Sequence, residues 1–257
     1  MTPAGRGAVA RLNPVAKLGA SLLIAVPLVF TIDPVSAAVA LVLELPLLLL
    51  AGLTPKQFWL RTLPVWVAAP LAGLTIALYG APAGTVYVEW FVVRISEGSL
   101  VLALATLFRV LAIGLPAVVL FATVDPTDLA DGLAQIVHLP ARFVLGALAG
   151  MRLLGLLADD WRALALARRA RGVADRGRLR RLLGMAFALL VLSIRRGSAL
   201  AVAMEARGLG ASPHRTWARP SRFGAGDVLL LLAGAAISGI AVGVAVATGA
   251  WNPVLTG

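Results

Sequence analysis

The chain has no cysteine, two histidines, two tyrosines and two lysines, and only 12 acidic residues stand against 23 basic ones in 257. Each shortage removes a class of chemistry. Without cysteine there is no disulfide framework, no thiolate metal site and no thiol nucleophile. His138 and His214 are isolated in the sequence, and two lone imidazoles make a poor metal centre. Lys17 and Lys56 lie in no G-x-x-x-x-G-K-[ST] setting, so the chain lacks the loop that cradles nucleotide phosphates. The net charge of +11 comes from arginines beside apolar runs, a placement that fits inner-leaflet and protein contacts and argues against nucleic acid as a partner.

What the chain has in abundance is apolar surface. Hydrophobic residues make up 60% of it, and the mean hydropathy is +0.93. Its 26 Gly and 15 Pro would burden soluble helices but are common in transmembrane ones, where small residues let backbones approach. Five segments have the length and composition of membrane spans: about Val15 to Thr31, Val35 to Leu53, Leu63 to Tyr79, Leu100 to Thr123 and Val228 to Thr248. Asp33-Pro34, Thr54-Pro55 and the Gly80 to Gly84 stretch separate the early ones. Although Arg6, Arg11 and Lys17 before the first run resemble the charged start of a signal peptide, no small-x-small cleavage site leads into polar sequence, so the first run reads as a retained span.

Charge orients these spans. Arg6, Arg11 and Lys17 precede the first, and Lys56 and Arg61 lie between the second and third, whereas the loop to Ser99 has only Arg94 against Glu89 and Glu97. The positive-inside rule then makes the N-terminus cytoplasmic and puts the same side behind the fourth span. There, between Phe121 and Phe223, lie sixteen of the 23 Lys and Arg residues. Two more apolar runs interrupt this basic segment, Phe143 to Ala158 and Leu182 to Ile194. Crossing as a pair, they would export Arg162, Arg168, Arg169, Arg171, Arg176, Arg178, Arg180 and Arg181, so they are expected on the cytosolic side or partly embedded.

The basic segment reads as consecutive helices. Asp125-Pro126-Thr127-Asp128 has the order of an N-cap, a first-turn proline and an acidic residue at the positive end of the helix dipole. Leu129, Leu133, Ile136 and Val137 form its apolar face, and Leu139-Pro140 ends it. A helix from Pro140 toward Asp159-Asp160 carries Gly146 and Gly150 as a small-xxx-small face. Shorter helices are expected over Trp161 to Arg171 and Ser198 to Arg207, around the Leu182 to Ile194 run. Each of these two ends in Ala-Arg-Gly, at Ala170-Arg171-Gly172 and Ala206-Arg207-Gly208. One copy is explained as a helix end, with Arg on the dipole and Gly as the cap. Two copies in one basic insert suit a protein that grips two similar partners.

Thr123-Val124-Asp125-Pro126, Leu139-Pro140, Arg168-Arg169-Ala170-Arg171-Gly172 and Ala203-Met204-Glu205-Ala206-Arg207-Gly208, together with the opening Leu12-Asn13-Pro14-Val15-Ala16-Lys17-Leu18, resemble the transmembrane T component of energy-coupling factor transporters, the EcfT/CbiQ family, in the family's order over about residues 12 to 250. The resemblance implies an all-α membrane protein of about five transmembrane helices, with a cytosolic helical coupling module inserted before the last span. The corresponding domains are 1–123, a region of four spans; 124–225, the coupling-helix module; and 226–257, the last span and tail. It also implies a non-catalytic subunit without cofactor, which carries ATP-driven motion from two ATP-binding-cassette ATPases to a small substrate-binding membrane S component that takes up a vitamin or transition-metal ion. Carried over, Arg171 and Arg207 are the ATPase-contacting residues, with Ala170, Gly172, Ala206 and Gly208 forming the motif ends. Arg168, Arg169 and Glu205 are possible supports.

The rival reading is a membrane-embedded Mg-dependent enzyme of the prenyltransferase type, with Asp125, Asp128 and Asp131, and later Asp159 and Asp160, as diphosphate-metal carboxylates. Pro126 directly after Asp125 favours the capping explanation. Glu44 and Arg109 fall inside spans, where charge is costly unless satisfied, and a pair between them, or a contact with the S component, is favoured over a substrate or ion path. Trp59, Trp66, Trp90, Trp217 and Trp251 are expected as interface anchors.

Two measurements test this reading. A single cysteine introduced at Ser99 should label from outside the cell and one at Ser198 only after permeabilisation; equal external labelling at Ser198 defeats the orientation. The purified chain should neither bind nor hydrolyse ATP, and hydrolysis that survives removal of copurifying ATPases defeats the non-catalytic assignment.

Overall fold

The computed structural model describes residues 7–80, 83–90, 93–172, 177–208 and 217–252. Arg6, Arg176, His214 and the middle of the Gly80 to Gly84 stretch lie outside the described residues, as do the side chains of Glu89, Trp90, Arg94 and Arg178. In chain order the elements are a short 3-10 turn at Val9–Arg11, α1 Pro14–Val29, α2 Pro34–Leu50, α3 Pro55–Tyr79, β1 Val86–Trp90, β2 Val93–Ser96, α4 Glu97–Phe121, α5 Pro126–Gln135, α6 Ala141–Ala170, α7 Arg178–Ala206 and α8 Ala225–Ala247. They divide into two compact units: Met1–Leu129 with Arg222–Gly257, and Ala130–Ser221.

One local device starts four of the helices. An Asn, Asp or Thr caps the end while the next residue, proline, occupies the position whose N–H would be unpaired anyway. The Asn13 side-chain oxygen accepts from the Val15 N–H at 2.9 Å, Asp33 from Ser36 at 2.5 Å, Thr54 from Gln57 at 3.3 Å and Asp125 from Thr127 at 2.7 Å. These caps place the breaks between α1, α2 and α3 where Asp33-Pro34 and Thr54-Pro55 predict them, and Asp125 and Pro126 take the expected roles.

Within the first unit α4 packs against α1, α2 and α3, and α8 closes onto α1 and α2. Ile24, Leu28, Ala40, Leu47, Ala112, Leu120 and Ile237 form one buried cluster; Leu48, Ala69, Leu111, Leu115 and Val119 form another. The outward faces are apolar as well, with Leu22, Val42, Leu49, Leu71, Leu229 and Leu232 exposed. Lipid tails suit such a surface, and close backbone approach takes over from hydrophobic segregation as the packing force. The approach is close where α8 crosses α1: a Cβ on Gly234 would lie 3.0 Å from the Ala20 carbonyl oxygen.

The all-α membrane architecture is observed, with three differences in detail. The outer loop expected up to Ser99 contains an antiparallel hairpin, with Glu89 opposite Arg94 and Trp90 opposite Val93. Its signal was the two-residue alternation around Tyr87 and Glu89, masked by the surrounding apolarity. By length and composition the helices able to cross a bilayer are α3, α4, α6, α7 and α8, while α1 and α2 are apolar but only 16 and 17 residues long. Turns at Phe30 and Ala51 end them before the expected Thr31 and Leu53. The short helices expected around Trp161 and Ser198 are instead the ends of α6 and α7, continuous over 30 and 29 residues. Neither Asp159-Asp160 nor Gly197 breaks a helix, because acidic residues keep every backbone bond and a lone glycine costs only about 1 kcal/mol.

Replacing Gly234 by Leu should push α8 off α1, an overpacking cost on the order of 3 kcal/mol. Gly239→Leu on the same helix meets no atom within 4 Å and should be neutral. Thermal unfolding in detergent distinguishes them; equal midpoints would mean that the α1–α8 contact does not hold the unit together.

Candidate functional site

The second unit is built on α6 and α7. Arg196 forms a two-pronged ion pair with Asp160, with Nη1 on one carboxylate oxygen and Nη2 3.2 Å from the other. Nearer the end of α6, the half-buried Arg168 donates to the Arg181 carbonyl oxygen at 3.4 Å and lies against Gly184. Residue 160 meets 196 and residue 168 meets 181, so the two helices run antiparallel. Arg171 therefore stands beside the start of α7 and Arg207 at its end, separated by about the length of that helix, roughly 40 Å at 1.5 Å per residue.

The two Ala-Arg-Gly ends have nearly the same geometry. Ala170 and Ala206 are the last helical residues, and Arg171 and Arg207 follow at φ −87°, ψ 4° and φ −86°, ψ 9°. Gly172 and Gly208 then turn left-handed at φ 67° and 77°, a region that disfavours any residue with a Cβ. The Arg171 N–H donates to Ala167 O at 3.2 Å and Gly172 to Arg169 O at 3.0 Å; Arg207 donates to Ala203 O at 3.2 Å and Gly208 to Glu205 O at 2.9 Å. Both backbones are thus capped helix ends. Both arginine side chains are exposed, and among the described residues neither has a hydrogen-bond or ion-pair partner. Of the flanking residues, Arg169 and Glu205 are exposed while Arg168 is turned onto α7.

The long sides of α6 and α7 also lack cover within their unit. Phe143, Met151, Leu154 and Leu166 on α6, and Leu183, Phe187, Ile194 and Val202 on α7, are exposed. The face expected to pack at Gly146 and Gly150 is open, with nothing within 4 Å of either added Cβ. Trp217, expected as an interface anchor, packs instead against Ala130, Ala134 and Val144. Gln135 holds the returning chain beside it, donating to Arg219 O at 2.9 Å and accepting from the Ser221 N–H at 2.8 Å.

Of the carboxylates weighed for metal binding, Asp125 spends an oxygen on its cap and Asp160 is taken by Arg196. Asp159 makes an exposed 3.5 Å contact with Arg162, of little energetic weight. Among the described residues no three His, Cys, Asp or Glu side chains gather to hold an ion. The Glu44–Arg109 pair does not form. Glu44 is fully buried with both carboxyl oxygens unpartnered, and the Nε and Nη2 atoms of Arg109 are likewise unpartnered. The acidic charge acting on Arg109 is Asp33, at the start of α2.

A polar corner in the first unit joins residues from three regions. Lys17, 1% exposed, donates to Ala10 O at 3.0 Å and to Thr123 Oγ1 at 2.9 Å. Asp227, 5% exposed, accepts from the Asn13 N–H at 2.7 Å and the Gly224 N–H at 2.8 Å, and its charge acts on the Lys17 ammonium. The Asn13 amide donates to Arg222 O at 2.9 Å. An Asp in the first turn of an apolar helix and a Lys in the first turn of another were the available signals; their pairing was not readable over a separation of more than 200 residues.

The family model of the cobalt transport protein CbiQ matches residues 6–216. The energy-coupling factor transporter transmembrane protein EcfT of Bacillus selenitireducens is 30% identical over 239 residues, covering 88% of this chain and 89% of that protein. EcfT of Limosilactobacillus fermentum is 28% identical over 242 residues, 86% of this chain and 89% of its own. EcfT of Listeria innocua is 28% identical over 205 residues, 75% and 77% of the two chains. Such coverage includes both Ala-Arg-Gly helix ends and the proline-capped apolar helices before them, so the chain belongs to the CbiQ cobalt transport protein family and is a multi-pass membrane component of the energy-coupling factor transporter type.

Proposed function

We propose that this chain passes ATP-driven motion from two cytosolic ATP-binding-cassette ATPases to a small substrate-binding membrane subunit, for uptake of a vitamin or a transition-metal ion. The observation that carries the proposal is the pair of matched helix ends. Arg171 ends α6 beside the start of α7 and Arg207 ends α7, each with an exposed guanidinium that has no partner among the described residues. That spacing suits two similar partners, one at each end. A guanidinium fork makes two-pronged contacts with carboxylates or carbonyl oxygens in a groove, and the left-handed Gly172 and Gly208 end both helices directly behind it. Arg169 and Glu205 flank these contacts, whereas Arg168 holds α6 to α7.

In this reading residues 124–225 form the cytosolic module, 1–123 and 226–257 form the membrane region, and the N-terminus is cytoplasmic. α1 and α2 cross despite their length, since a short helix is accommodated by local thinning of the bilayer. α6 and α7 stay on the cytosolic side despite theirs, because crossing would carry the arginines from Arg162 to Arg181 outward. Their bare apolar sides then serve as the face for the membrane partner. Hydrolysis belongs to the ATPase subunits, as the chain has no phosphate-cradling loop of its own.

Copurification of the ATPases with Arg171→Glu, Arg207→Glu and the double alanine variant tests the proposal. Reversing an interfacial charge costs several kcal/mol, so either glutamate variant should lose most of the bound ATPase at unchanged membrane abundance. If the arginines serve only as helix ends, replacing both by alanine costs about 1 kcal/mol or less at each terminus. Full ATPase retention in the Arg171→Ala, Arg207→Ala variant would reject the coupling role.

A further inference from the structure

We infer that the buried corner formed by Asn13, Lys17, Thr123 and Asp227 is the joint through which motion of the α5–α7 segment reaches the apolar helices of the first unit. The inference rests on the proposed transmission role and adds to it the residues that transmit. The chain leaves the first unit just beyond α4 and re-enters it at Arg222, so only two covalent connections link the units. Both are tied to the same stretch of chain at the start of α1. The outgoing connection is held by Lys17 on Thr123 Oγ1, whose hydroxyl in turn donates to Leu120 O at 3.2 Å at the end of α4. The incoming connection is held twice, by the Asn13 amide on Arg222 O and by the Asn13 N–H on Asp227 in the first turn of α8. A pull on either connection is therefore delivered to α1, α4 and α8 together, and not to the end of one helix alone.

The chemistry of the corner suits a rigid joint. A lysine ammonium that is 1% exposed is tolerated only with strong partners, and here it has a carbonyl oxygen, a hydroxyl and a carboxylate charge. Charge-assisted hydrogen bonds are shorter and about twice as strong as neutral ones, which resists stretching. Pro14 removes a free N–H from the same turn, and the Asn13 side chain caps α1 with its oxygen while its nitrogen reaches Arg222. No other basic residue among those described is as buried as Lys17.

The test uses the full chain assembled with its ATPases and membrane partner. Spin labels go on cysteines introduced at Leu100 and Val246, exposed positions at the ends of α4 and α8 remote from the corner, in a chain with no native cysteine. The distance between them is measured without nucleotide and with ATP and vanadate. Thr123→Val removes the hydroxyl with little change of shape, and Asn13→Ser keeps a capping oxygen but cannot reach Arg222. Both variants should keep their ATPases and lose more than half of the nucleotide-dependent distance change, and Thr123→Ser should restore it. A corner that only stabilises the fold would lower the yield and leave the distance change at its parental size in both variants; that result overturns the inference. If the parent chain itself shows no nucleotide-dependent change while its ATPases hydrolyse ATP, the transmission role falls, and the joint with it.

Discussion

Burial of one ammonium group organises the first unit. Lys17 is almost fully excluded from solvent, and excluding an unpaired ammonium costs several kcal/mol even after relaxation. The chain meets this demand with the Ala10 carbonyl from the turn just before α1 and with two remote segments, the Thr123 hydroxyl from the end of α4 and the Asp227 carboxylate from α8. Once those segments converge, the relative positions of α1, α4 and α8 are set at that end. Small residues along α1 and α8, with Gly234 against Ala20, continue the contact away from it. Directional polar contacts at the helix ends and close backbone approach between them are what a bilayer leaves available, since lipid tails are as apolar as the helix sides.

The second unit obeys a different constraint. Its two long helices touch through Asp160–Arg196 and Arg168–Arg181 and leave most of their apolar sides bare. A protein wholly in water would not leave such surfaces uncovered. They belong to a segment that finishes its packing against something else. Its two helix ends repeat one backbone geometry within a few degrees, and the repetition bears more on function than either end alone, because helix capping explains each arginine's backbone but not two exposed guanidinium groups without a partner among the described residues.

Local chemistry was legible before any coordinates. Asn13-Pro14, Asp33-Pro34, Thr54-Pro55 and Asp125-Pro126 each announce a helix start through a side-chain acceptor and a missing N–H, and each starts one. Gly172 and Gly208 announce helix ends and adopt the left-handed turn that glycine alone accepts cheaply. The hairpin between α3 and α4 escaped notice because a five-residue alternation carries little weight in a chain this apolar. The continuity of α6 and α7 escaped because charged residues and a single glycine look like boundaries, although neither removes a backbone hydrogen bond.

By itself the sequence determined where the proline-capped helices begin, where α6 and α7 end, that the chain lives in a membrane, and which family it belongs to, because caps, prolines and apolar length act over a few residues. Tertiary structure alone decided which charges meet. Glu44 and Arg109 stay apart, while Lys17 meets Thr123 and Asn13 meets Asp227, since the depth and facing of a side chain depend on how whole helices pack. It also decided that Arg168 turns inward and Arg169 outward within one basic run: successive helix positions point about 100° apart, and only the presence of α7 gives that difference a meaning.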